Sequence, residues 1–223
     1  EPARRYSILS IAPTSFFYDY GCHVRILEET RALQMLGHRV TICTYNSGND
    51  VPGVDIVRSW PIPWRKGIEV GSSRHKIAFD ALLAGCVLGT ARRLRPDIIH
   101  GHLHEGALIG AAAGRLLDRP VVFDFQGSMT GEMVDHGFLS PDGAFYQAWR
   151  RLEQWIDHLP DAIIASSGSA LPLLTNDFGC SPHKVHVVPD VAKTDLFYPL
   201  WKAGNSYDAA DLVALRARLG IPA

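Results

Sequence analysis

Short apolar runs alternate with longer ones of helical period along the chain: YSILSIA, then VRILEETRALQMLG, then RVTICTY, with the pattern recurring further on. Compact runs rich in β-branched residues suit buried strands, whereas longer segments with apolar residues three and four apart suit helices. The pattern predicts strands near residues 6–12, 39–44, 54–58, 97–100, 120–125, 162–166 and 185–188. Helices are predicted near 22–36, 75–94, 105–117, 143–158, 168–178 and 208–219. Strict alternation of this kind implies an α/β fold, an open and mostly parallel sheet of about seven strands with helices on both faces. The first helix uses good formers, among them Leu27, Glu28, Glu29, Ala32, Leu33 and Met35, and Gly37 supplies the left-handed residue that ends it. In the helix after His104, Gly106, Gly110 and Gly114 recur every four residues and make a bare stripe suited to close packing on the sheet.

Two stretches break the alternation. RSWPIPWRKGIEVGSSRHK, residues 58–76, is a long loop rich in Pro, Gly, Ser and basic residues, and loops of that length often serve a function. After Pro199, LWKAGNSYD reads as a linker followed by a last helix. The expected division is therefore a domain over 1–199 and a linker with helix over 200–223, leading on to something further.

Composition narrows the classes. With 47% hydrophobic residues among 223, and 22 Lys and Arg against 23 Asp and Glu, the chain can bury a sizeable core and has no global charge for nucleic acid. Cys22, Cys43, Cys86 and Cys180 are widely separated, so neither a disulfide framework nor a zinc knuckle is signalled, and a reducing cytoplasm is expected. Runs such as ALLAGCVLGT fall well short of the ~20 residues of a membrane span.

In open parallel sheets, ligands bind beyond the carboxyl ends of the strands, where helix N-termini point outwards. Here those ends turn polar or glycine-rich: APTSFFYDYGCH, TYNSG, HGHLHEG, FQGSMTG, SSGS and PDVAKT. The first lacks G-x-G-x-x-G, which disfavours a nicotinamide enzyme, but Gly21 opens a helix there, as a plain N-cap or as an anion seat. G-x-S-x-G is absent, and SSGS reads as a serine-capped helix, which disfavours a hydrolase triad. Ser128, Thr130 and Glu132 offer caps first and sugar-hydroxyl partners second. If the backbone stays extended from His100 to His104, their imidazoles and that of His102 share one side, about 6.5–7 Å apart between neighbours, so two could reach one metal. No second ligand cluster is visible, however, and Glu105 suits a helix start without any ion. A polar cleft wall is the preferred reading, with no metal.

In order along the chain, these residues resemble a known family. YGCHVRILEETRALQMLGHRVTICTY is similar to the first loop, glycine-led helix and LxxxGHxVTxxT strand of the N-terminal domain in family 4 retaining glycosyltransferases. LRPDIIHGHLHEG resembles the family's strand end PDhhHxH, and PVVFDFQGS its PhhhxxHG. DAIIASS and KVHVVPDVAKTDLFYP resemble its DxhhxxS strand and its hinge signature. The resemblance implies one Rossmann-like half of a GT-B fold, two domains facing across a cleft. It also implies sugar transfer from a nucleotide-sugar to an acceptor with retention, needing no cofactor. The N-terminal half would shape the acceptor side, and an absent C-terminal half would hold the donor, so this chain alone should be inactive.

On that reading Gly21, Cys22, His23, His100, His102, His104, Glu105, Gly127 and Ser128 line the acceptor side, and Pro189, Asp190 and Lys193 form the interdomain hinge. Two departures stand out. Gln126 occupies the family's catalytic-histidine position, where it can exchange hydrogen bonds but carry no charge, and Asp190 to Lys193 replace the hinge's Asn-Gly-Val-Asp. Trp60 and Trp64, interleaved with Arg58, Arg65, Lys66, Arg74 and Lys76, suit an anionic lipid surface or a phosphorylated acceptor, or a solvated loop whose tryptophans pack back on the domain; the acceptor expected from the resemblance is a sugar, lipid-linked or small molecule. Phe145, Trp149 and Trp155 are expected on a core-facing helix. Two rival readings remain: a non-catalytic Rossmann-like binding module, and a metal-dependent hydrolase using His100, His102 and His104.

Overall fold

The computed structural model describes residues 4–18, 20–61, 76–190 and 209–221. Seven strands form one sheet: β1 (Ser7–Ala12), β2 (Arg39–Thr44), β3 (Asp55–Arg58), β4 (Ile98–His102), β5 (Val121–Phe125), β6 (Ala162–Ala165) and β7 (Val185–Val187). Their spatial order is β3-β2-β1-β4-β5-β6-β7 and every neighbouring pair is parallel. That is the Rossmann-like order, with the sequence reversing direction between β1 and β4. The helices are α1 (Gly21–Met35), α2 (Lys76–Leu94), α3 (Leu103–Leu117), α4 (Met129–Asp135), α5 (Tyr146–Asp157), a single turn α6 (Ala170–Pro172) continuing as a π-turn over Leu173–Asp177, and α7 (Ala209–Arg218). One compact unit covers Glu1–Pro189 and a second Asp190–Ala223; the expected boundary at 199–200 lies outside the described residues.

The two faces of the sheet are chemically different. On one face Leu9, Ile11, Cys43, Ile99 and Val121 pack with Phe79, Leu83, Val87 and Ala91 of α2 and Ile109 and Ala113 of α3. Towards β6 this face continues through Phe123, Phe125, Ile163, Ile156 and Phe178. Burial of each large side chain is worth about 1.5–3 kcal/mol, so this face supplies most of the cohesion. On the other face α1 lays Ile26 and Leu27 over Ile8, Ala12, Val40 and Ile42. Beyond that apolar patch the α1 face is polar.

The glycine stripe of α3 is a packing device. A Cβ on Gly106 would lie 2.9 Å from the Ile11 carbonyl oxygen, and one on Gly114 would lie 2.4 Å from a Val121 methyl. Both contacts are closer than side chains tolerate, so α3 rests directly on the β1–β4–β5 backbone.

Candidate site at the carboxyl ends of the strands

β5 carries an acid between two aromatics. Alternation sends Phe123 and Phe125 into the hydrocarbon face and turns Asp124 under α1, where it is fully buried. There Arg25 of α1 meets Oδ1 through Nε at 2.9 Å and Nη2 at 2.7 Å, while His102 Nδ1 lies 2.9 Å from Oδ2. Gln126, one residue beyond β5, donates Nε2–H to the same Oδ2 at 2.7 Å. Burial by itself would raise the Asp124 carboxyl, but its bonds to His102 and Arg25 override that and hold it well below the usual carboxylate range. Arg25 also pairs with Glu29 Oε1 at 2.8 Å and donates Nη1 to the Val188 carbonyl at 3.3 Å, tying α1 to the end of β7.

An ionised Asp124 only accepts hydrogen bonds, and this fixes its neighbours. Gln126 must turn its nitrogen inward, which leaves its carbonyl oxygen as the end available to a ligand. His102 donates Nδ1–H, so its neutral form accepts the Ser10 hydroxyl at Nε2, 2.9 Å away. Ser10, His102 and Asp124 thus have the spacing of a hydrolytic triad. With Ser10 and His102 each 1% exposed, no acyl group reaches the hydroxyl, and the arrangement is a support for Gln126.

The three histidines do not share one side. Leu103 takes a positive φ of 58° and opens α3, so the extended backbone ends at His102. His100 and His102 lie under α1 with ring centroids 4.3 Å apart. His104 instead sits edge-on to Phe123 and Phe125, with Nε2 3.3 Å from Asp157 and 3.6 Å from Glu153 of α5. All three are buried, contrary to the expected cleft wall, and their separation also removes the hydrolase that needed them together. Burial pushes His100 down to about 3, so it is neutral. Burial acts the same way on His104, but Asp157 and Glu153 outweigh it and raise its pKa.

The remaining expected residues divide. Gly21 is the first residue of α1, the N-cap being Tyr20, and a Cβ there would meet nothing. Cys22 beside it is half-buried, and burial pushes its thiol up. His23 is buried and structural: burial lowers its pKa, and it accepts the Tyr18 amide at Nδ1 (2.9 Å) and meets the Thr14 hydroxyl at Nε2 (2.6 Å). Glu105 pairs with Lys76 at 2.5 Å, which keeps its carboxyl low although burial opposes this. Gly127 is half-buried, and Ser128 caps α4 by accepting the Gly131 amide at 3.0 Å. Pro189 and Asp190 close the described stretch, and Lys193 lies outside it, as do Trp64, Arg65, Lys66 and Arg74 of the long loop. Within the segment SSGS no serine side chain caps α6; Ser167 and Ser169 bond each other at 2.7 Å.

Four residues not expected at the site hold this end of the sheet: Arg25, Glu29, Asp124 and Glu153. Glu153, fully buried on α5, accepts the Met129 amide at 2.8 Å, the Thr130 amide at 3.2 Å and the Thr130 hydroxyl, fastening the loop Gln126–Ser128 to α5. The signal for Asp124 was present as a lone acid between aromatics in a strand. α5 also corrects an expectation, since its buried face carries Glu153, Ile156 and Asp157, while Phe145 (73%) and Trp155 (51%) are exposed. A cavity of about 530 Å³ bounded by Arg5, Gln34, His38, Asp55 and Asp97 lies at the opposite, amino end of the strands, where parallel sheets do not place their chemistry.

The profile of the family described as "Glycosyl transferase 4-like domain" matches residues 20–190. The chain belongs to that family. Among curated proteins, this glycosyl transferase 4-like chain is 28% identical over 211 residues to a D-inositol 3-phosphate glycosyltransferase of Xylanimonas cellulosilytica, covering 91% of the chain and 48% of the relative. It thus spans about half the length of that relative. Among solved structures, it matches sucrose-phosphate synthase from Thermosynechococcus elongatus with a TM-score of 0.69 at 13% identity, over 97% of the chain and 53% of the other. It matches Anabaena HepE in complex with UDP-glucose with a TM-score of 0.62 at 14% identity, over 96% and 50%. At those identities the likeness is one of fold: the glycosyl transferase 4-like chain has the architecture of one half of these glycosyltransferases. No helix among the described residues is long and apolar enough to cross a membrane.

Proposed function

We propose that this chain is the acceptor-side domain of a retaining glycosyltransferase that moves a sugar from a nucleotide-sugar to a hydroxyl-bearing acceptor, with a second domain holding the donor. The observation that carries this reading is Gln126, which stands at the carboxyl end of a central strand and is oriented by the buried Asp124. Its outward carbonyl accepts a hydroxyl of the reacting sugar or acceptor, a task that needs orientation but no charge. The acceptor oxygen bonds to the anomeric carbon on the face from which the bond to the donor phosphate breaks, and the acceptor proton passes to that phosphate oxygen. None of these steps needs a metal or cofactor. HepE was solved with UDP-glucose, which makes a uridine nucleotide-sugar the first donor to try.

The test pairs this chain with its donor-binding half and supplies nucleotide-sugars, with NMR following the anomeric configuration of the product. A retained configuration, and no turnover by the isolated chain, is expected; absence of donor binding and hydrolysis by the joined protein overturns the enzyme reading in favour of a binding module. Peripheral contact with the inner face of a membrane, in a cytoplasmic protein, is part of the proposal. It is motivated by Trp60, 63% exposed at the start of the basic loop. Failure to co-sediment with anionic vesicles would remove it.

A further inference from the structure

We propose that Glu29, His100 and His102 form a binding site for a divalent ion of the zinc class, one that pins α1 to β4. One ligand atom from each of the three residues lies within 4.8 Å of the other two. Glu29 Oε2 is 3.9 Å from His100 Nε2 and 3.9 Å from His102 Nδ1. A point equidistant from three such atoms is about 2.5 Å from each, so a contraction of a few tenths of an ångström reaches the ~2.0–2.2 Å of zinc bonds to imidazole and carboxylate. Two imidazoles and one carboxylate suit borderline first-row ions and do not suit magnesium or calcium, which take oxygen.

An independent observation points to the same ion. His100 Nε2 is buried without a hydrogen-bond partner, on a side chain only 8% exposed, and it faces Glu29. Unpartnered buried nitrogen is costly, and a coordinate bond resolves it. His100 is neutral, the form that ligates.

The Arg25 guanidinium binds Glu29 through Oε1 and Asp124 through Oδ1, while the second oxygen of each carboxylate is turned to the histidines. The support behind the ligands is also built. When an ion takes His102 Nδ1, the proton there leaves, and Nε2–H donates to the Ser10 hydroxyl oxygen already 2.9 Å away. Asp124 Oδ2, 2.9 Å from Nδ1, keeps the Gln126 amide as its donor when that proton leaves. Glu29, 20% exposed, marks the way in from solvent.

The experiment uses the chain without an affinity tag, stripped with a chelator and titrated with Co²⁺ and Zn²⁺. One equivalent of Co²⁺ with visible d–d bands and no thiolate charge-transfer band is expected, together with a rise in Tm on adding Zn²⁺. The second condition separates this site from the Cys43–Cys86 pair, whose thiols meet across β2 and α2. His100→Gln, which loses no hydrogen bond from Nε2, and Glu29→Gln should each weaken binding at least about tenfold. Should Glu29→Gln unfold for want of its Arg25 pair, His100→Gln decides alone, its fold checked by circular dichroism. Less than a tenth of an equivalent bound, a thiolate band, or unchanged affinity in His100→Gln overturns the proposal. None of these readouts depends on glycosyl transfer.

Discussion

His100 and His104 stand four residues apart, are comparably buried, and are driven in opposite directions. Burial drives the His100 pKa down, the His102 imidazole and the Arg25 cation add to it, and the pull of the Asp124 carboxylate is too weak to reverse it, so His100 gives up its proton. His104 faces Asp157 and Glu153 at 3.3 and 3.6 Å, and they keep the proton on it. Burial sets the default, and it is overturned only where a carboxylate comes close enough to bond the ring directly. The positive φ of Leu103 assigns each ring to its side of the sheet.

The most severe way to break this contrast is to remove the anion that organises the α1 side. Asp124→Ala leaves Arg25 buried without its main partner and should cost about 3–5 kcal/mol in urea unfolding. On the α5 side, Glu153→Gln removes one of the two charges facing His104 and an acceptor for the start of α4. About 2–3 kcal/mol of stability should be lost, and the His104 titration followed by NMR should move down.

Opposed pKa shifts predict opposed pH limbs. His100, depressed in the fold to about 3, makes the unfolded chain the better proton binder between there and 6.5, so stability falls as pH drops through that window. His104 is raised, so its contribution is full below 6.5 and is lost as pH climbs through its folded value. His100→Gln should flatten the acid limb, by at most about 1.4 kcal/mol per pH unit, and His104→Gln should act only on the other limb. Gly21→Ala is the mildest change. Its Cβ meets nothing, so stability should stay within about 0.5 kcal/mol, and any loss of nucleotide-sugar or acceptor binding would then belong to the helix start itself.

Much of the scaffold was legible, and the reason is periodicity. Each strand lies within two residues of its expected limits, and α1, α2 and α3 start within two of theirs, because a parallel sheet buried on both faces writes long apolar runs. The residues of α4 suggest caps first and sugar-hydroxyl partners second, and no helix. Its seven residues hold no amphipathic repeat and depend on Glu153, more than twenty positions away in sequence. The buried network under α1 was hidden for a different reason: Arg25 and Glu29 look like any solvent-facing helix charges until Asp124 of β5 is placed beneath them. The histidine stretch was misjudged through the single dihedral at Leu103, which a leucine gives no hint of adopting.

The bare stripe on α3 has a kinetic meaning. β4, α3 and β5 are contiguous from Ile98 to Phe125, and the glycines let the helix seat on both strands without waiting for side chains to interdigitate. Contacts that close over so short a stretch cost little chain entropy, which favours this unit as the first part of the sheet to organise. Gly110→Ala, whose methyl would lie 3.3 Å from Ile99 and 3.4 Å from Val121, should therefore slow refolding more than it speeds unfolding. Stopped-flow traces with the change confined to the unfolding arm would show that the sheet begins to assemble elsewhere.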